Sequence, residues 1–94
     1  MNMNFGNSFL KHTNFERSCL DSSDFQRADL SYANLSGTDL RNANLKEAIF
    51  KGANVKNCMI SESGLKYLLP YIDTLQYSDK LIIFMEDGTI TYFC

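Results

Sequence analysis

Large apolar side chains recur at every fifth position along the first two-thirds of the chain. Phe5, Leu10, Phe15, Leu20, Phe25, Leu30, Leu35, Leu40, Leu45, Phe50, Val55 and Ile60 form an unbroken series of twelve. With 45 % of residues apolar, chance would yield such a run on the order of once in ten thousand tries, so the period carries structure. Two residues before each large side chain stands a small one: Ser8, Thr13, Ser18, Ser23, Ala28, Ala33, Thr38, Ala43, Ala48, Ala53 and Cys58, with Met3 the exception at the head. Residues two apart in an extended segment point to the same side, so each large and small pair faces one interior. A period of five is neither the 3.6 of a helix nor the 2 of a long strand. It predicts a chain that runs straight for two or three residues, turns a corner, and repeats.

The corners have their own chemistry. The residue before each large side chain is Asn or Asp in eight of twelve cases: Asn4, Asn14, Asp24, Asp29, Asn34, Asp39, Asn44 and Asn54. Such side chains hydrogen-bond nearby turn backbone, as a corner every five residues requires. The segments ADLSY, ANLSG, ANLKE and ANVKN resemble the A-(D/N)-L-x-x signature of the pentapeptide-repeat family, and the resemblance covers residues 3 to 62. It implies an all-β solenoid, a right-handed quadrilateral β-helix with four pentapeptides per coil, so that twelve repeats make three coils. On that register residues twenty apart stack: Asp21 under Arg41, Arg27 under Glu47, and Asn14, Asn34 and Asn54 as one ladder.

After Glu62 the period of five stops. Leu65, Leu68, Leu69, Ile72 and Leu75 recur at three- and four-residue steps, which predicts an amphipathic helix with Ser63 as N-cap, kinked or split by Pro70. Apolar residues 81–85 and 90–93 flank Glu86-Asp87-Gly88, a hairpin signal. The chain therefore divides into a repeat β-helix, 1–62, and a C-terminal cap of helix plus hairpin, 63–94, within one folding unit. The first hairpin strand is apolar on both faces. One face is available to the cap helix; the other, with Ile82, Phe84 and Tyr92, is assigned to a second copy of the chain as a homodimer interface.

Composition narrows the function. A net charge of −2 gives no field that calls for direct nucleic-acid binding or a membrane surface. The N-terminal segment has neither a basic n-region nor an apolar h-region, and the longest apolar run is far too short to span a bilayer. Cys19, Cys58 and Cys94 fall at unrelated spacings without C-x-x-C, which argues against a disulfide framework or zinc site and for reduced thiols in a cytoplasm. His12 is the only histidine, Gly37 and Gly52 are isolated corner residues, and the hydroxyls of Ser18, Ser23 and Thr38 are expected to satisfy backbone carbonyls. The sequence thus predicts no catalytic residues, no cofactor and no metal, and a binding protein in place of an enzyme.

The binding surface is sought where the repeat departs from Asn and Asp. Phe9 and Ile49 fall on one face with Asp29 between them, and Cys19 and Met59 on the opposite face with Asp39 between them. His12 and Tyr32 stack beside the first face, near Lys11 and Lys51. Two readings stand: an apolar partner-binding patch, or a Phe9 that closes the first coil and an Ile49 and Met59 that lie under the C-terminal segment. The best-studied members of the resembled family are rods whose shape and acidity mimic duplex DNA and occupy the DNA site of type II topoisomerases. The same device would suit inhibition of a phage-defence complex such as a CRISPR effector. That reading places Asp24, Asp29 and Asp39 where phosphates would be. Residues 1–60, however, carry seven basic against six acidic side chains, and the acidic excess lies in the remainder. The alternative is a general protein–protein interaction module that uses a flat solenoid face.

Overall fold

The computed structural model describes residues 3–75 and 81–93. Within the repeats each outward Asn or Asp position, and each residue that replaces one, bridges in parallel to the residue twenty further on. The bridges are Asn4 to Asp24, Phe9 to Asp29, Asn14 to Asn34, Cys19 to Asp39, Asp24 to Asn44, Asp29 to Ile49 and Asn34 to Asn54. Strands β1 (Asp39–Leu40) and β2 (Cys58–Ser61) continue the series, with Asp39 opposite Met59. The chain is a β-helix solenoid.

A turn follows every bridge, and its second residue has positive φ, as in His12 (64°), Arg17 (59°) and Tyr32 (59°). That left-handed backbone is unfavourable for side-chain-bearing residues. Hydrogen bonds offset the cost: the His12 N–H donates to the Ser31 carbonyl of the next circuit, and the Thr13 N–H closes the turn on the Leu10 carbonyl. The predicted side-chain acceptors complete it. All eight are in place, each taking the N–H two residues on: Asn4 from Gly6, Asn14 from Glu16, Asp24 from Gln26, Asp29 from Ser31, Asn34 from Ser36, Asp39 from Arg41, Asn44 from Lys46 and Asn54 from Lys56.

The interior is filled by the periodic residues. Phe25, Leu30, Leu35, Leu40, Leu45, Phe50, Val55 and Ile60 are buried, with Ala28, Ala33, Ala48 and Ala53 beside them. Among the hydroxyls, Thr38 donates to the Phe15 carbonyl, whereas Ser23 accepts the Met3 N–H. Phe5, Leu10 and Phe15 are only partly buried, and the Phe5 ring stacks on Phe25 with centroids 5.0 Å apart.

Helix α1 spans Glu62–Leu68. Its N-cap is Ser61, not Ser63, and the Ser61 hydroxyl makes no capping bond because it is engaged with Asn42, whose N–H it accepts. Pro70 splits the helical run as expected: α1 ends at Leu68 and a 3-10 turn, Leu69–Tyr71, takes over. The helix does not extend to Leu75, since the missing proline N–H and the ring's bulk stop its propagation. Gly64 is buried against Leu45 and Ile60, and Tyr71 meets Phe50 edge-on, so this segment packs on the last circuit of the solenoid. Strand β3 (Leu81–Phe84) pairs in parallel with β2, placing Ile82 beside Met59, and β4 (Ile90–Phe93) pairs antiparallel with β3. Met85 lies just outside β3, where its N–H donates to Thr89 across the hairpin. One sheet therefore runs from β1 to β4, and the hairpin extends a face of the solenoid. Among the described residues no helix is long and apolar enough to cross a membrane.

Candidate functional site

Phe9, Asp29 and Ile49 form one vertical ladder, with the turn residues Lys11 and His12, Ser31 and Tyr32, Lys51 and Gly52 along its edge. Phe9 is 94 % exposed, Tyr32 44 % and Ile49 39 %. The His12 and Tyr32 rings stack at 5.2 Å and 12°, and the Lys11 ammonium lies 5.9 Å from the Tyr32 ring centre. Gly52 makes this column possible. Its φ is +66°, and a Cβ there would fall 2.5 Å from the Tyr32 ring, so the ring rests on bare backbone. Asp29 sits half-buried between Phe9 and Ile49. Hydrogen bonds from the Ser31 side chain and backbone hold its carboxyl below the usual range, and the nearby Lys11 charge adds to the effect.

Of the two readings for the apolar departures, covering applies to Met59, which is flanked by β3 and half-buried. Phe9 closes nothing, since almost its whole surface faces solvent.

The remaining acidic candidates lie elsewhere. Asp24 is one turn back along the chain, bonded to the Gln26 N–H. Asp39 is half a twenty-residue circuit away from Asp29 and takes both Nε (3.0 Å) and Nη2 (2.8 Å) of Arg41. That pair holds the Asp39 carboxyl below its ordinary range. Arg41 Nη2 contacts Asp39 at 2.8 Å with the guanidinium 4.7 Å over the Phe84 ring, and Asp21, twenty residues back on the register, adds its charge to that of Asp39 on Arg41. The other expected pair forms: Arg27 Nε contacts Glu47 at 3.0 Å. The structure thus gathers Phe9, Lys11, His12, Asp29, Tyr32 and Ile49 on one face, without Asp24 or Asp39.

At the C-terminal end, Ile82 and Tyr92 are cross-strand partners on the sheet face that carries Met59, and Phe84 faces Ile90. Ile82 and Phe84 are half-buried; Ile90 and Tyr92 are 50 % and 53 % exposed. Sequence reasoning missed Ile90 and the Arg41–Phe84 contact, because neither follows from the five-residue period. A cleft of about 350 Å³ opens beside them, lined by Arg41, Ser61, Glu62, Phe84 and Glu86. The Glu62 carboxylate accepts the Glu86 N–H there. Among the described residues no cluster of His, Cys, Asp and Glu is placed to hold a metal ion. The thiol of Cys58 is fully buried, which pushes its pKa strongly upward, and Cys19 is exposed and free.

Compared with protein-family models, the chain matches "Pentapeptide repeats (8 copies)" over residues 2–31 and again over 23–60. No curated protein matches it. Among solved structures, a pentapeptide repeat protein from the Arabidopsis thaliana thylakoid lumen aligns at 23 % identity and a TM-score of 0.25. The alignment covers 62 % of this chain and 50 % of that one, so the present chain spans about half of that relative's length.

Proposed function

The chain belongs to the pentapeptide-repeat family, and from that premise we propose that it is a non-catalytic protein-binding module whose Phe9–Ile49 face docks on another protein. In this reading the solenoid is a right-handed quadrilateral β-helix of three coils, closed at one end by α1 and the hairpin. It works in the cytoplasm, without cofactor or metal. The observation that carries the proposal is Phe9: a large aromatic side chain 94 % exposed, on one face with Tyr32 and Ile49. Exposed apolar side chains clustered on a rigid face favour a partner, since aromatic anchors dominate interface energies.

A DNA-like rod that inhibits a DNA-handling complex is the second reading, and the ionised Asp29 on this same face is the feature that favours it. Its acids are dispersed, however. Asp39 is neutralised by Arg41, and Asp24 and Asp29 already serve their own turns. One set of variants separates the two. Docking predicts that Phe9→Ala or Ile49→Ala weakens partner binding by about tenfold or more, as truncated hot spots do, with duplex DNA a poor competitor. Mimicry predicts that DNA competes, and that changing Asp24, Asp29 and Asp39 to Asn abolishes binding while the apolar variants are neutral.

Self-association through the hairpin belongs to the same proposal. Strand β4 is last in the order β1-β2-β3-β4. Pairing it with β4 of a second copy would join two sheets and bring Ile82, Phe84, Ile90 and Tyr92 of both copies near the two-fold axis. Light scattering at micromolar concentration checks this. A monomer of 10.7 kDa removes it.

A further inference from the structure

The docking face also carries information about its partner, and this inference rests on the docking reading above. Eight turns of the solenoid are completed by an Asn or Asp oxygen that accepts the N–H two residues on, at 2.9–3.1 Å. Four lack that oxygen because Phe9, Cys19, Ile49 or Met59 stands in its place. Two of the four differ from the rest. At Phe9 and Ile49 the residue two on is a lysine, so the N–H of Lys11 and of Lys51, with no acceptor among the described residues, lies beside an exposed ammonium. At Cys19 the corresponding residue is Asp21, an acid in place of a lysine, and at Met59 it is Ser61, an uncharged residue of β2 paired with Phe84 of β3.

We propose that this face recognises an extended acidic segment with an apolar anchor, whose carboxylates complete the Lys11 and Lys51 turns as Asp29 completes the turn between them. Asp29 shows the required geometry within the chain: its carboxylate takes the Ser31 N–H at 3.0 Å and feels the charge of Lys11. A partner carboxylate at either flanking turn gains a backbone N–H and an ammonium together, and such charge-assisted bonds are the strong ones. The surrounding charge agrees. Lys11, Arg27, Lys46 and Lys51 border the face against Asp29 and Glu47, a local excess of two positive charges on a chain of net charge −2. Phe9 and Ile49 supply the apolar contact.

Spacing narrows the partner further. The two lysine turns are two rungs apart, roughly 10 Å at strand-like separation. Extended chain rises about 3.3 Å per residue. Strand side chains alternate, so two acids that share one face of a strand along the solenoid axis stand two or four positions apart, about 7 or 13 Å, which brackets the span between the turns.

The test is selection of a random peptide display library on the immobilised full chain, followed by affinity measurement on the synthetic winners. Winners should be rich in Asp and Glu at that separation with an apolar residue nearby. The Lys11→Gln/Lys51→Gln double variant should bind them roughly tenfold or more weakly, the size of one lost charge-assisted bond. The amide resonances of Lys11 and Lys51 should move downfield with an acidic winner and stay in place with its Gln-substituted version. Neutral or basic winners, or acidic winners that bind the double variant as tightly as the wild type, overturn the proposal. Phe9→Ala separates this failure from the wider one. If it abolishes binding while the lysine variant does not, the docking face stands and the acidic partner falls. If neither variant matters, both fall. Positions 9, 11 and 51 are exposed, so an unchanged circular dichroism spectrum suffices to show that each variant is folded.

Discussion

The two glycines with positive φ inside the solenoid occupy equivalent turn positions but have different neighbours, which makes them a matched pair. A Cβ at Gly37 would meet the Arg17 side chain at 3.3 Å, a flexible group able to move aside, whereas one at Gly52 would enter the Tyr32 ring at 2.5 Å. Gly37→Ala should therefore cost about 1 kcal/mol, the strain of left-handed backbone. Gly52→Ala should cost about 2–3 kcal/mol, because overpacking is added. Urea midpoints measure both, and equal losses would mean that Tyr32 does not lie on residue 52. A second residue-scale prediction concerns pH. The Arg41 hydrogen bonds lower the folded-state pKa of Asp39 beneath its unfolded value of about 3.9. A lowered carboxyl pKa adds stability that is present above the unfolded value and disappears as pH falls through the folded one. Stability should drop on acidification below about pH 4, and Asp39→Asn should flatten that limb in denaturation curves taken across pH. All eight turn acceptors were legible in the sequence, since the period assigns each Asn and Asp to a corner and the corner offers one N–H. The partner of Arg41 was not legible. The register pointed to Asp21, whose charge does act on Arg41, but not to the hydrogen bonds with Asp39 on the same repeat or to the Phe84 ring from outside it.

That dependence on a distant segment recurs among the elements. Within the repeats the step between paired residues is twenty, so any one bridge predicts the next. Between β2 and β3 it becomes twenty-three, as Cys58 faces Leu81. The intervening residues have no period from which that offset follows, although the alternation of buried Leu81 and Ile83 with half-buried Ile82 and Phe84 was visible. The split at Pro70 was legible because proline acts locally; the start of the helix at Ser61 in place of Ser63 was not, because no side-chain cap marks it and the Ser61 hydroxyl is bonded instead to Asn42, nineteen residues away. Gly64 links helix to solenoid. A Cβ there would stand 3.3 Å from Leu45 Cδ1, so Gly64→Ala is a near-balance of helix propensity against crowding, while a larger side chain has nowhere to go. Gly64→Leu should lower stability by about 1–3 kcal/mol and raise amide exchange in α1 and β3 together. Exchange confined to α1 would show that the helix is not what holds the hairpin against β2.

For the molecule as a whole, burial is graded along the solenoid axis. Phe25, Leu30, Leu35 and Phe50 are fully buried, whereas Phe5, Leu10 and Phe15, which hold the same positions one circuit earlier, keep part of their surface in water. The C-terminal end is packed by α1, Tyr71 and β3, while among the described residues the Phe5 circuit stacks on the Phe25 circuit. Solenoid stability is a sum of unit terms and neighbour interfaces, so a circuit stacked on one neighbour opens first. Native-state hydrogen exchange should place the amides of Phe5, Leu10, Phe15 and Leu20 at the low end of the stability range and those of Phe25 to Phe50 near the global value. Uniform protection across both would contradict the gradient. The consequence for function is direct, because Phe9, Lys11 and His12 belong to the least stable circuit and the rest of their face, Asp29, Tyr32 and Ile49, to the firmer ones. A partner laid along the axis would staple the loose circuit to the firm ones and stabilise it by mass action. Apart from the directly contacted Lys51 amide, exchange in the first circuit should slow most when ligand binds, with little change at the buried amides around Phe50. Protection that rises equally everywhere would point to a ligand seated on a different part of the molecule.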